Sequence, residues 1–444
     1  MQQNRYDMMT TTPVPKLILK MAVPTIISML VTGIYNTADT FFVGKISTQA
    51  TAAVGIVFTV MAIVQATGFF CGHGSGNFLS RMLGAGKTKE ANEMASTGFT
   101  IAIILGIIIA IVGNIFVDDI AMIIGSTPTT LEDTRKYMRI ILIGAPFMTG
   151  QFVINNQLRF QGSAVYAMVG LMCGAAMNMV LDPLLIFVFN MGVTGAAVAT
   201  IMGQITSFIV LLVGSSKGEN IRLSFKNIHI NSYYIKEITN GGAPSLFRQA
   251  LAAIASLLMN KAAGTFGGDA AIAGMSVNTR VMMMMSSALI GFGQGYQPVC
   301  SFNYGAGLKK RVKEGYFFCV KYSTIFLCIV GAVCFYFAPQ IIAVFRDDPE
   351  VIAVGSVALK WTSATIPLSG CIVMTNMMLQ SIGRGVKASI MASCRNGIFF
   401  IPMILLLPQL FGLFGVEITQ AVADIFSILV SIPMAYSEIR HFKE

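Results

Sequence analysis

Charge is scarce in this chain: Asp, Glu, Lys and Arg make up 11% of its 444 residues, where a soluble domain carries roughly a quarter. With 55% hydrophobic residues, too little polarity remains to cover a surface facing water. Tryptophan occurs once and histidine three times. His73, His229 and His441 are dispersed, so no H-E-x-x-H helix can hold a catalytic zinc. The eight cysteines lack the close paired spacing of a metal site and fall in or beside apolar runs, where they read as small core hydrophobes. No G-x-S-x-G stretch exists, and GAGKT at 84–88 fails as a phosphate loop because Arg81 stands where its first glycine is needed. These absences argue against a membrane hydrolase and an ATPase. The expectation is a protein that is not an enzyme and needs no cofactor.

What the chain does have is long apolar runs, each near the roughly 20 residues that cross a bilayer core. About twelve spans are expected, at 17–43, 52–80, 93–117, 137–160, 164–188, 193–215, 237–266, 270–303, 314–345, 351–381, 387–409 and 412–438. Several exceed the bilayer core and imply tilt or kinks. The fold class is therefore an all-α polytopic membrane protein. The polar start MQQNRYDMMTTTPVPK and a full-length first span do not resemble a cleaved signal peptide. Lys and Arg collect in cytoplasmic loops; an inside N-terminus places 19 of the 30 basic residues there. The loops opposite hold Asp118, Asp119, Glu132, Asp133, Asp347, Asp348 and Glu350. Both termini are thus expected in the cytoplasm and the chain in the cell membrane. The net charge of +10 follows from this asymmetry and calls for no nucleic acid.

An internal repeat organises the spans. Gly72, Gly74, Gly84, Ala85, Gly86, Lys89 and Glu93 recur as Gly293, Gly295, Gly305, Ala306, Gly307, Lys310 and Glu314, at a constant offset of 221. Pro24 pairs with Pro244, Gly162 with Gly383 and Gly192 with Gly412 at nearly the same offset. Six spans per half give two lobes related by an axis along the membrane normal, as in many secondary transporters. The expected division is an N-terminal lobe at 1–215, a cytoplasmic linker at 216–236 and a C-terminal lobe at 237–444.

Carboxylates inside spans require a reason, since an aspartate at a membrane helix centre costs about 2.5–3.5 kcal/mol on insertion scales. Asp39, Asp182, Glu417 and Asp424 stand away from most span ends. Glu417 and Asp424 read as helix glue or partners of a basic group. In NMVLDPLLIF at 178–187, Asn178 and Asp182 share a helix face, and Pro183 removes the N–H that would bond the Met179 carbonyl. Such hard oxygens suit Na⁺, and the carboxylate alone suits a proton. If Asp39 meets that face, two carboxylates occupy one low-dielectric pocket and cannot both stay ionised without a cation. Thr200 can add a hydroxyl to the same pocket or bond its own helix. Asn155 and Asn156 serve as ligand contacts or helix glue. Met283 belongs to a thioether run beside Arg280 that can repack around apolar ligands or simply face lipid.

With PTIISMLVTGIYNTADTFFVG, the GxG and GAG stretches of each half and LDPLLIF, the chain resembles the multidrug and toxic compound extrusion (MATE) family, in its DinF-like branch, over nearly its whole length. That resemblance implies two six-helix lobes in a V. It also implies export of organic, often cationic, compounds against inward H⁺ or Na⁺ by alternating access. Coupling falls in the N-terminal lobe, with Asp39, Asn178, Asp182 and Thr200 as coupling-ion residues and as ligands should the ion be Na⁺. Other branches place coupling carboxylates on the seventh and tenth helices, where this chain has none. The substrate cavity is expected to be lined by Tyr35, Asn36, Asn155, Asn156, Met259, Arg280 and Met283. Expected partners are small organic molecules and the lipid bilayer, with one chain sufficient for transport. The alternatives are a lipid-linked oligosaccharide flippase of the same superfamily, or a channel or receptor.

Overall fold

A computed structural model describes residues 2–218 and 220–442, apart from the side chains of Gln2, Gln3, Asn36, Thr37 and Thr40. The expected contact of Asn36 therefore lies outside the described residues. A short α1 (Gln2–Thr11) precedes α2 (Val14–Gly44), α3 (Thr48–Gly84), α4 (Thr88–Ile115), the short α5 (Val117–Ile123) and α6 (Leu131–Phe160). α7 (Ala164–Pro183) follows, and its helix widens into a π turn at Leu184–Val188 before α8 (Gly192–Ser215). The second half comprises α9 (Ser232–Gly305), α10 (Lys309–Tyr336), α11 (Ala338–Phe345), α12 (Pro349–Ser381), α13 (Gly385–Ser393), a π turn at Cys394–Ile398, α14 (Phe400–Phe411) and α15 (Leu413–Ile439).

Among the described residues, ten helices are long and apolar enough to cross a membrane, or eleven when Leu131–Ile143 and Ala145–Phe160, bent by 50°, count as one span. The 74 residues of α9 would extend about 110 Å as a straight helix, too far for one crossing. They divide at Gly268, whose φ of 67° suits glycine. The expected twelve spans in two lobes follow. Large apolar side chains such as Ile34, Ile123, Val180 and Val344 stand exposed on the outside, as lipid rather than water requires.

Local chemistry sets the boundaries. Ser47, with extended backbone, accepts from Ala50 N at 3.0 Å and starts α3. Asn231 Oδ1 accepts from Tyr234 N at 2.9 Å and starts α9. Asp348 caps α12 through Glu350 N, with Pro349 in the first turn. Where the sequence runs 93–117 and 314–345 as single spans, the chain bends at Phe116 and Phe337 and leaves α5 and α11 as short helices.

The duplication holds at the level of backbone and hydrogen bonds. Gly86 and Gly307 have φ of 73° and 76°, Gly162 and Gly383 85° and 83°, Gly192 and Gly412 56° and 60°. Each pair closes the same turn in its own lobe, in a conformation that a Cβ disfavours. Asn155 Nδ2 donates to the Ala167 carbonyl at 2.9 Å and Asn376 Nδ2 to the Ala388 carbonyl at 2.6 Å. These donors and acceptors are again related by the repeat.

The lobes meet at the end that carries the linker. There the repeat glycines allow backbone contact between α3 and α9: a Cβ on Gly84 would strike the Phe302 carbonyl, and one on Gly305 the Arg81 carbonyl. Met9, Leu17 and Met21 share one core with Tyr296 and Phe302. At the opposite end the cores separate. Val43, Ala50, Tyr137 and Ala197 pack within the first half, and Met259, Ala271, Phe400 and Val416 within the second. This is the V, open away from the linker. The linker itself is not slack, since Ile221 N donates to Gln161 Oε1 at 2.7 Å and His229 N to Thr97 Oγ1 at 2.9 Å.

Helix α1 straddles the closed end. Arg5 donates to Ser163 and Asn220 of the first half at 3.2 and 3.0 Å. On the other side, Asn303 and Arg311 donate to the carbonyls of Met9 and Thr12 at 3.1 and 2.5 Å. At about 0.5–1.5 kcal/mol per bond, removing residues 2–12 is expected to shift the lobe equilibrium toward opening at the linker end by at least tenfold, roughly the worth of two such bonds. Spin labels across α3 and α9 would report longer distances; an unchanged distribution would rule out the clamp.

Candidate functional site

Three helices bring polar stripes together in the N-terminal half. On α2, Ser28, Thr32, Tyr35 and Asp39 recur every three or four residues and share one face. Helix α7 contributes Asn178 and Asp182, and α8 contributes Thr200, Gln204 and Ser207. Close packing of α7 on α8 is possible because Gly174 and Gly203 touch: a Cβ on either would lie 2.7–2.8 Å from the other's carbonyl oxygen. The larger polar side chains turn to a cavity lined by Ser28, Thr32, Tyr35, Asn178, Thr200 and Gln204, with Phe69 of α3 and Gln151 and Asn155 of α6.

Beyond this cavity, toward the open end of the V, Asp39 and Asp182 meet across the α2–α7 packing with their carboxyls in direct interaction. Asp182 is wholly buried, and Asn178 and Thr200 nearly so. Asn178 Nδ2 donates to Thr200 Oγ1 at 3.5 Å, leaving the amide oxygen free. No donor reaches Oδ1 of Asp39, either carboxylate oxygen of Asp182, or Oδ1 of Asn178 among the described residues. A buried acceptor without a partner costs about 1–3 kcal/mol, so a cluster of them favours positive charge nearby. A proton on one carboxyl or a hard cation among the oxygens would satisfy it. No group of three or more His, Cys, Asp or Glu side chains placed to hold a metal ion occurs among the described residues. The helix does not break after Pro183; the missing N–H is absorbed by the widened π turn that follows.

The other expected residues divide. Tyr35 and Asn155 line the cavity, though Asn155 also pins α6 to α7 through Ala167. Asn156 is fully buried and holds Arg159 rather than facing the cavity. Met259 packs in the apolar core of the second half. Arg280 and Met283 are exposed and do not line the cavity. In the second half Asp424 is paired with Arg395 at 2.7 Å and accepts from Gln420 at 3.0 Å, which matches its reading as the partner of a basic group.

Sequence reasoning passed over Gln151, Gln204, Ser207 and Tyr137. Fully buried Tyr137 of α6 lies within electrostatic reach of both carboxyls. The signal for two of these was present: Thr200, Gln204 and Ser207 form a polar stripe at helical spacing, as do Ser28, Thr32, Tyr35 and Asp39. Tyr137 and Gln151 carry no such pattern and are placed only by packing.

The MatE family profile matches residues 24–184 and 244–406, one match in each half of the chain. The multidrug export protein MepA of Staphylococcus haemolyticus is 27% identical over 428 residues, covering 95% of this chain and 93% of that protein. MepA of Staphylococcus aureus is 27% identical over 430 residues, with 96% and 94% covered. Among solved structures, a MOP superfamily transporter from Pyrococcus furiosus, described as having a binding pocket of reversed polarity, superposes with a TM-score of 0.92 at 26% identity, covering 99% of this chain and 98% of that chain. The outward-facing conformation of a multidrug resistance MATE transporter superposes equally well, with a TM-score of 0.92, 26% identity and the same coverage. Matched in both halves and along its whole fold, this chain belongs to the MATE family of membrane transporters.

Proposed function

We propose that this transporter exports organic, often cationic, compounds by alternating access in exchange for H⁺ or Na⁺ moving inward. The observation that carries the reading is the Asp39–Asp182 pair, where Oδ1 of Asp39 and both oxygens of Asp182 are buried with no donor among the described residues. The multidrug export named for its MepA relatives supports the substrate class. With the linker end in the cytoplasm, as the basic loops suggest, the V faces outward. The lobe at 1–215 then carries coupling, the lobe at 237–444 supplies the opposing wall, and 216–236 joins them in a single functional chain of the cell membrane.

Entry of the coupling cation between α2 and α7 neutralises the carboxyl pair and draws the two helices together. This narrows the cavity that Tyr35, Asn178 and Thr200 share with the ion site and lowers affinity for substrate on the outer side. A cationic substrate competes with the ion for the same negative charge, and that competition produces exchange rather than leak. The test is purified protein in sealed liposomes, with ethidium followed under an imposed pH gradient and separately under an imposed Na⁺ gradient. Movement driven by one gradient names the ion; bound ethidium that neither gradient moves would refute coupled exchange.

A further inference from the structure

Behind the cavity the polarity of the packing reverses. Phe69, a cavity wall, stacks on the His73 ring with centroids 5.3 Å apart and planes within 14°. His73 is fully buried, with Nε2 3.2 Å from Arg159 Nη2 and Nδ1 2.9 Å from Ser245 Oγ. Arg159, only 3% exposed, donates to Gln294 Oε1 at 2.6 Å and to Asn156 Oδ1. Its Nε has no acceptor among the described residues. One turn beyond Ser245, the half-buried Arg248 lies within electrostatic reach of both His73 and Arg159. Of the five N–H donors a guanidinium carries, Arg248 uses one among the described residues, toward Asn376 Oδ1 at 3.3 Å.

Among the described residues, every protein partner of these two arginines is neutral. Arg81, Arg135, Arg384 and Arg395, by contrast, each pair with a carboxylate. Two uncompensated positive charges at the junction of the lobes are unfavourable in a low-dielectric setting. No carboxylate of the chain relieves them among the described residues, so a counter-charge from outside the chain would stabilise both. Arg159 belongs to α6 and Arg248 to α9, and an anion between them is held by both lobes at once.

We propose that Arg248 and Arg159, backed by His73, form an oxyanion subsite at the lobe junction that takes the carboxylate or phosphate of an organic substrate. Guanidinium forks bind such groups through paired charge-assisted hydrogen bonds. The inference deepens the transport reading: beside the cation-attracting carboxyls of α2 and α7, it gives the protein a grip on the acidic end of amphoteric or anionic compounds. It rests on that reading for its biological meaning, but its test applies no gradient.

The purified full chain in a neutral maltoside detergent is titrated with a dansyl-tagged aryl carboxylate and with the matching primary amide, followed by fluorescence polarisation. The wild type is expected to prefer the carboxylate by about tenfold. Arg248→Gln, which keeps a donor for Asn376, is expected to lose that preference to within about twofold, and Arg248→Lys to retain its direction. Equal affinities in the wild type, or an undiminished preference in Arg248→Gln, would overturn the subsite. Melting curves establish that the variants are folded. Repeating the titration in phosphatidylcholine nanodiscs with and without phosphatidylglycerol separates two sources of the same chemistry. Competition by phosphatidylglycerol assigns the site to a lipid phosphate, its absence to a soluble substrate, and either keeps the site. Failure of gradient-driven ethidium export leaves all these outcomes unchanged, so the two readings fall separately.

Discussion

Asp182→Asn protein in sealed liposomes is expected to lose gradient-driven ethidium export by roughly a hundredfold, toward the upper end of ordinary coupling free energies. Its melting temperature is expected to stay within a few degrees of the wild type. The two expectations come from one fact: neither oxygen of Asp182 is hydrogen-bonded to the described protein, although the residue is fully buried. A structural carboxylate would have partners to lose, as Asp424 has in Arg395 and Gln420. Asp182 has only its charge and its lone pairs, so the amide removes the proposed ion site while leaving the packing of α7 on α8 intact. Full export by the variant, or unfolding with export lost, would each remove Asp182 from the coupling role.

The same variant separates proton from sodium. An amide resembles a protonated carboxyl in shape and neutrality, so in a proton-coupled transporter Asp182→Asn mimics the ion-loaded state and ethidium binds weakly at every pH. In a sodium-coupled transporter the amide resembles the empty state without its charge. Ethidium affinity then becomes insensitive to Na⁺ but is not locked low. Equilibrium titration of ethidium, with and without Na⁺ at two pH values, reads the difference directly, and Asp39→Asn is expected to behave in the same way.

How much of this could be read from the chain itself depends on what kind of contact each feature makes. Spans, repeat and lobes were legible because they rest on periodicity and composition, which translate directly into lipid-facing helices. The repeated GxG and GAG stretches were visible as a pattern, but their purpose was not. Only the crossing of α3 and α9 reveals that they close one end of the V, with Gly84 against the Phe302 carbonyl and Gly305 against that of Arg81. Asp39 and Asp182 could be singled out because charge inside a span is rare. Their meeting depended on how α2 packs on α7, which no local rule determines. Tyr137 was invisible for the same reason. Asn156 went the other way: polar residues one turn from a span end look like cavity walls, yet its amide oxygen is taken by Arg159. Helix α1 escaped because its polar sequence has no apolar stripe. Its position comes from bonds to residues more than a hundred positions distant, such as Ser163 and Arg311.

The largest effect on stability is expected at the ion pair of the second half. Arg395, in the π turn, donates from Nε and Nη2 to the two oxygens of Asp424 at 2.7 and 3.4 Å, with side-chain exposures of 20% and 1%. Removing one partner leaves a charge stranded in the membrane interior, which destabilises by about 3–5 kcal/mol. Arg395→Leu and Asp424→Leu are each expected to show a loss of that size in denaturant or thermal unfolding. The double variant is expected to return to within about 1–2 kcal/mol of the wild type, because apolar replacements for a buried pair are often neutral. By the repeat, Arg395 corresponds to Gly174 and Asp424 to Gln204, two residues that line the N-terminal cavity. In the second half a tethered guanidinium therefore sits where the first half keeps open space, and the carboxylate there already holds a cation. The double variant is accordingly expected to retain gradient-driven export while Asp182→Asn does not. Loss of export in a folded double variant would move coupling out of the first lobe, and single variants as stable as the wild type would show that Asp424 needs no counter-charge.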